Sequence, residues 1–210
     1  MLGLIVKEYI RKTSSCTNTV TNKNMLSTKI KEATKAPHQQ LEGVVVRKLK
    51  AISSDKDYAE FLKFFYAYFN TIENAIKPYI TTSVLPDYKE RRNSSFIKRD
   101  IEALGENIDQ LPEVEAPAIR TVQEALGALY VLEGSIMGGS IIVKMLEKIG
   151  ITKGTSFFSG YGEQTGQKWS AFIDVLNEHA TNAEEEEQAI QAAGNTFALF
   201  GKAFESAEVA

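Results

Sequence analysis

Apolar residues recur at intervals of three and four along most of the chain, and no stretch alternates apolar with polar residues between turn signals. That pattern predicts an all-α fold. The window from Lys29 to Leu49 gathers Ile30, Ala33, Leu41, Val44, Val45 and Leu49 near one side. A second window, Tyr58 to Ile76, gathers Phe61, Leu62, Phe65, Phe69, Ile72 and Ile76. It opens after Ser-Ser-Asp-Lys-Asp, whose serines and aspartates suit an N-cap and the positive helix end, and Pro78 and Pro86 close it. A shorter helix runs from Ser94 to Leu104 and stops at Gly105. After a linker at Pro112 to Pro117, one long apolar helix is predicted from about Ala118 to Ile149. The Gly-rich segment 154–166 reads as the least regular part. Two amphipathic helices follow, at Lys168 to Ala180 and from the acidic run Glu184 to Glu187 to about Ser206.

Composition narrows the class. With 210 residues, 43% hydrophobic and 24% charged, the chain has material for one sizeable core, so a single domain is expected. A net charge of -3 gives no global attraction to nucleic acid or anionic membranes. The lone cysteine, Cys16, excludes an intramolecular disulfide and a cysteine-rich metal cluster, and a reducing cytoplasm is the simplest compartment. Residues 1–24 are expected to form a flexible N-terminal tail, since 11–24 are rich in Ser, Thr and Asn; the domain is expected to span 25–210. Ala125 to Val143 is long and apolar enough to be weighed as a membrane span, but its mid-span Glu133 and the charged residues that follow it argue against an anchor.

The long helix poses the sharpest question. Glycine in a helix interior costs roughly 1 kcal/mol relative to alanine, so Gly127, Gly134, Gly138 and Gly139 should together weaken it by about 3 to 4 kcal/mol. At about 100 degrees per residue, the spacing places Gly127, Gly134 and Gly138 on one face. Such a face serves either close packing against another helix or a flat ligand lying on bare backbone.

There are two histidines. His38 precedes Glu42 by four residues on one helical face, with Lys31 and Lys35 upstream. It reads either as a satisfied structural histidine or as a metal-ligating imidazole whose second nitrogen is oriented by a carboxylate. Pro37 should bend the chain just before it. His179, at a predicted helix end, reads as a residue stabilising that C-terminus.

Taken together, segments 30–42, 57–73, 95–107, 125–142, 166–178 and 187–204 resemble heme oxygenases of the soluble bacterial type, in that family's order. The resemblance implies heme held between a proximal and a kinked distal helix, and cleaved by O2 to biliverdin, carbon monoxide and free iron. Electrons would come from an external reductase or ferredoxin as redox partner. It assigns His38 as axial ligand to the heme iron and Glu42 as its partner, while Lys31 and Tyr130 match positions reaching the heme propionates. It gives Gly134, Ser135, Gly138 and Gly139 to the distal helix, positioning oxygen and water, with Gly134 and Gly138 also touching the ring. Arg92 is expected in a charge role like that of Lys31. Mammalian-type members carry an aspartate where this chain has Ser135. The resemblance further implies a cytoplasmic monomer or weak dimer with no nucleic-acid partner. The alternative is a heme-sequestering or heme-sensing protein of the same fold without turnover. Di-iron chemistry lacks its Glu-x-x-His motif here, and thiamine-type hydrolysis would need a nucleophilic cysteine where Cys16 lies in the tail.

Overall fold

The computed structural model describes residues 25–205, and within them every regular element is helical. The helices are α1 (Leu26–Ala33), α2 (Lys35–Ala51), α3 (Asp55–Ile76), α4 (Ser94–Ala103), α5 (Val122–Gly134), α6 (Ile136–Glu147), the one-turn α7 (Ser156–Ser159), α8 (Thr165–Glu178) and α9 (Ala183–Glu205). The expected tail at residues 1–24, Cys16 included, lies outside the described residues, as do the last five positions.

Local chemistry sets several of the ends. Ser54 caps α3 by accepting from the Asp57 amide at 3.1 Å, with Asp55 and Asp57 in its first turn. Asn93 caps α4 through the Ser95 amide, and Gly105 at φ +83° takes the left-handed turn beyond it. At the start of α9 the Asn182 side chain accepts from the Glu184 and Glu185 amides.

The core forms where α9 lies along α5 and crosses α1, α2 and α3, while α3 also packs on α4 and α5. All six apolar positions expected to face inward on α3 are buried. Its rings interlock with those of α7 and α9: Tyr68 stacks on Phe200 at 4.3 Å, and Phe65 meets Phe200 and Phe158 edge to face at 5.1 and 5.2 Å. Aromatic pairs of this kind are each worth about 0.5–1.5 kcal/mol beyond burial. Gly127 accounts for the close approach of α5 and α9, because a Cβ there would lie 2.2 Å from the Ala189 carbonyl oxygen.

Three expectations change. The helix expected from Lys29 to Leu49 is broken at Thr34, which bonds its own amide and hydroxyl to the Ile30 carbonyl. Proline causes this one turn early: its ring cannot pass the carbonyl four residues back, so the break falls near Ala33 and Pro37 sits harmlessly in the first turn of α2. The helix expected from Ala118 to Ile149 starts at Val122, capped by Thr121, and divides at Ser135. The segment 154–166, expected to be irregular, contains α7 and the start of α8, and Phe157 and Phe158 are among the most buried side chains.

Candidate functional site

His38 sits in the first turn of α2, with its side chain 44% exposed. Its Nδ1 lies 3.7 Å from Glu42 Oε1, too long for a direct hydrogen bond but close enough for the carboxylate to bias that nitrogen towards carrying the proton. On its other side the ring meets Phe197 of α9 edge to face, 5.3 Å between centroids and 89° between planes. The imidazole is thus braced by the helix carrying it and by a core ring, yet open to solvent.

Helix α6 is the anomaly of the fold. Its sequence from Ile136 to Glu147 is strongly apolar, but only Ile136, Gly139 and Leu146 are buried. Among the described elements it packs chiefly against α7, and where it joins α5. A Cβ at Gly138 would meet nothing within 4 Å, so this bare backbone faces open space. At Gly134 a Cβ would touch Trp169 Cη2 at 3.5 Å, an ordinary contact, and Trp169 in turn packs on Tyr130 at 5.4 Å. An apolar helix whose Ile141, Ile142, Val143 and Met145 are only partly buried is suited to a large, flat, apolar group.

The glycines of the distal segment therefore divide by role. Gly138 faces the open side. Gly139 does not: a Cβ there would fall 2.1 Å from the Phe158 carbonyl oxygen, so helix-to-backbone packing against α7 already requires a glycine. Gly127 likewise serves packing, against α9.

Beneath the division between α5 and α6 lies a polar network. Glu133, 3% exposed, accepts from Arg91 Nη1 at 2.7 Å, and Arg91 also holds Asp87 through Nε at 2.7 Å and the Lys168 carbonyl through Nη2 at 3.0 Å. Asp87 is held below the usual carboxylate range: burial opposes this, but the bonds from Arg91 and Lys168 outweigh it. Glu133, weighed above as an obstacle to a membrane span, is thus a paired core residue, and most of its helix from Ala125 to Glu133 is buried. That single charge in an apolar run was the signal for a buried cation, although nothing in the spacing identified Arg91.

Arg92 is not placed for the propionate-like charge role expected of it. Its side chain is buried, with Nη1 donating to the Phe157 carbonyl and Nη2 to the Leu132 carbonyl and the Ser135 hydroxyl. The Ser135 hydroxyl, which donates to Leu132, is engaged in the same knot. Lys31 is exposed in the last turn of α1, and burial pushes the Tyr130 phenol up to about 12, so it is a neutral hydrogen-bond donor at neutral pH. His179 caps the end of α8, its Nδ1 2.8 Å from the Val175 carbonyl. A cavity of about 290 Å³ lined by residues including Glu73, Arg91 and Glu133 contains none of His38, Gly134 or Gly138, so it is separate from this site. Among the described residues no cluster of three or more His, Cys, Asp or Glu side chains is placed to hold a metal ion.

Comparison with known proteins identifies the family and the fold. The family model "Heme oxygenase" matches residues 24–206. Heme oxygenase PigA of Pseudomonas aeruginosa is 26% identical over 187 residues, covering 88% of this chain and 94% of the relative. A heme oxygenase of Xanthomonas campestris pv. campestris is 28% identical over 147 residues, 68% of this chain and 86% of the relative. Among solved structures, the NO- and CO-bound heme oxygenase of Neisseria meningitidis superposes with a TM-score of 0.76 at 23% identity, covering 87% of this chain and 92% of that one. Heme oxygenase 2 of Chlamydomonas reinhardtii, solved without heme, gives 0.70 at 19% identity, with 87% and 97% covered.

Proposed function

Because the chain belongs to the heme oxygenase family, whose reaction is the oxygen-dependent cleavage of heme, we propose that this reaction takes place between His38 on α2 and the open face of α6 around Gly138. Two separate observations carry the assignment: a half-exposed, braced imidazole on α2, and on α6 a bare backbone at Gly138 where a Cβ would meet nothing of the protein within 4 Å. Bound heme supplies both the redox-active iron and the ring carbon that is oxidised, so no protein nucleophile is needed.

The chain's own residues have four tasks. His38 would offer one imidazole nitrogen to the iron, with Nδ1 facing the Glu42 carboxylate 3.7 Å away, which favours the proton on that nitrogen. As a neutral ligand it avoids the strong electron push of a thiolate. Ile142 and Met145, half-buried on α6, would exclude water from one face of a bound porphyrin, and Gly138 would leave room for oxygen against main chain. Lys31 and Tyr130 would meet the propionates, as a cation and as a neutral phenol donor. Gly134 borders the same face beside Trp169, and Ser135 acts indirectly, because its hydroxyl is held in the fold. The electron donor is an external reductase or ferredoxin, the domain runs from Met25 onward, and the protein works in the cytoplasm as a monomer or weak dimer.

Mixing the purified protein with hemin, a reductant and oxygen tests turnover: loss of the Soret band with a green product is expected. A Soret band that persists would leave the heme-sequestering reading. His38→Ala should lose the histidine-ligated spectrum and most turnover, and an unchanged spectrum in that variant would refute the proximal assignment.

A further inference from the structure

Helix α6 is tied to the rest of the fold near its start, and the residue that makes the tie is an arginine that touches no carboxylate directly, although Glu133 and Glu73 act on its charge from nearby. Arg92 is 7% exposed, and its ion pairs among the described residues are none. A buried guanidinium is costly unless its charge and its donors are met. Here backbone carbonyls meet two of its three nitrogens, while Nε is buried without a hydrogen-bond partner. Leu132 lies in the last turn of α5 and accepts at 3.0 Å, while Phe157 belongs to α7 and accepts at 3.1 Å. Such carbonyls carry the negative end of the helix dipole and suit a cation. The Phe157 ring lies 3.9 Å beneath the guanidinium carbon, adding a cation–π contact.

The third bond decides the role. Nη2 also reaches Ser135 Oγ at 2.8 Å, and the same hydroxyl donates to the Leu132 carbonyl at 2.7 Å. Arg92, Leu132 and Ser135 thus close a ring of hydrogen bonds at the residue where α5 ends and α6 begins. Four residues on, Gly139 rests on the Phe158 backbone. Both fixed points run through α7, which Asp100 holds by accepting from the Ser156 and Phe157 amides and the Ser156 hydroxyl. Gly138 lies between these two fixed points, immediately before Gly139, and Leu146 is the next buried residue of α6.

We propose that Arg92 is a positioning residue for heme cleavage, setting the angle at which α6 leaves α5 and so the placement of the Gly138 face over the ring edge that is attacked. This rests on the functional reading above. Its adjacent residue, Arg91, takes the separate task of neutralising Glu133. The two arginines therefore differ in consequence: one satisfies a buried charge, the other fixes a joint.

The test uses Arg92→Met, Arg92→Lys and Ser135→Ala in the full chain, with two readouts. In ligand-free protein, Arg92→Met should raise amide hydrogen exchange across residues 133–139 by about tenfold or more while residues 58–76 keep wild-type protection. The emission of Trp169, the sole tryptophan, which lies against Gly134, should shift with it. In hemin-loaded protein, affinity should stay within about threefold of wild type while the ratio of ring-opened product isomers changes. Arg92→Lys, which keeps the charge but loses the fork, should fall between. Ser135→Ala removes one leg only and should give a smaller change of the same sign, which also serves if Arg92→Met does not fold. Unchanged exchange at 133–139, exchange raised uniformly across the chain, or an unchanged isomer ratio would each overturn the proposal. A wild type that binds hemin without turnover would sink the enzymatic reading, yet leave the ligand-free exchange result standing on its own.

Discussion

Adjacent glycines on α6 should respond to alanine in opposite directions. At Gly138 a Cβ meets nothing within 4 Å, so Gly138→Ala gains helix propensity without a clash. Replacing an interior helical glycine by alanine is worth about 0.5–1 kcal/mol, and in a domain of this size 1 kcal/mol corresponds to roughly 2–4 °C, so the ligand-free variant should melt about 1–4 °C above wild type. At Gly139 the same methyl would sit 2.1 Å from the Phe158 carbonyl oxygen and 3.0 Å from its carbonyl carbon, both backbone atoms of a helix pinned by Asp100. That contact can be relieved only by moving α6 off α7, and overpacking of this kind costs about 1–3 kcal/mol or more, well beyond the propensity gain. Gly139→Ala should therefore melt several degrees below wild type. Differential scanning calorimetry of the two ligand-free proteins measures both signs, and hemin titration followed by turnover completes the comparison. Gly138→Ala should still take up hemin but turn it over more slowly, because on the proposed reading the methyl would enter the space in which oxygen binds. Loss of stability in ligand-free Gly138→Ala would refute the open face, and wild-type turnover in a properly folded Gly138→Ala would refute its use.

Three further outcomes follow from the same geometry. Asp100→Ala removes the acceptor of three hydrogen bonds at α7 and should cost about 2–4 kcal/mol in chemical denaturation, with turnover reduced through Gly139; a loss under 1 kcal/mol would contradict it. Asp87 has a folded pKa depressed below 3.8, so its carboxylate contributes stability above that value and loses it as pH falls through the lower folded value. Asp87→Asn should therefore be less stable than wild type at neutral pH, by about 1–2 kcal/mol, with the gap closing below about pH 3.8 in urea titrations at stepped pH. Tyr68→Phe deletes the hydroxyl that donates to the Thr196 carbonyl between α3 and α9, and should cost about 1 kcal/mol with the Phe200 stacking intact; a neutral effect would show that this bond adds nothing to the aromatic packing.

The sequence by itself determined the helical class, the inward faces, the cap of α3, the stop at Gly105 and the two features on which the candidate site is proposed. Those are local properties: apolar spacing, the Ser and Asp residues before α3, Gly105 after α4, a histidine four residues from a glutamate, and glycines where propensity forbids them. It could not divide the glycines. Whether a missing side chain makes room for a neighbour or for a ligand depends on what stands opposite, and only the tertiary structure puts Ala189 against Gly127, Phe158 against Gly139 and open space against Gly138. The Arg92 knot was equally hidden, because its partners lie 40, 43 and 65 residues away and are mostly backbone carbonyls, which leave no mark in the sequence. Periodicity reports which face of a helix is apolar. What that face meets is decided by the packing of segments distant in the chain, and that packing turned an expected irregular loop into the brace of the candidate site.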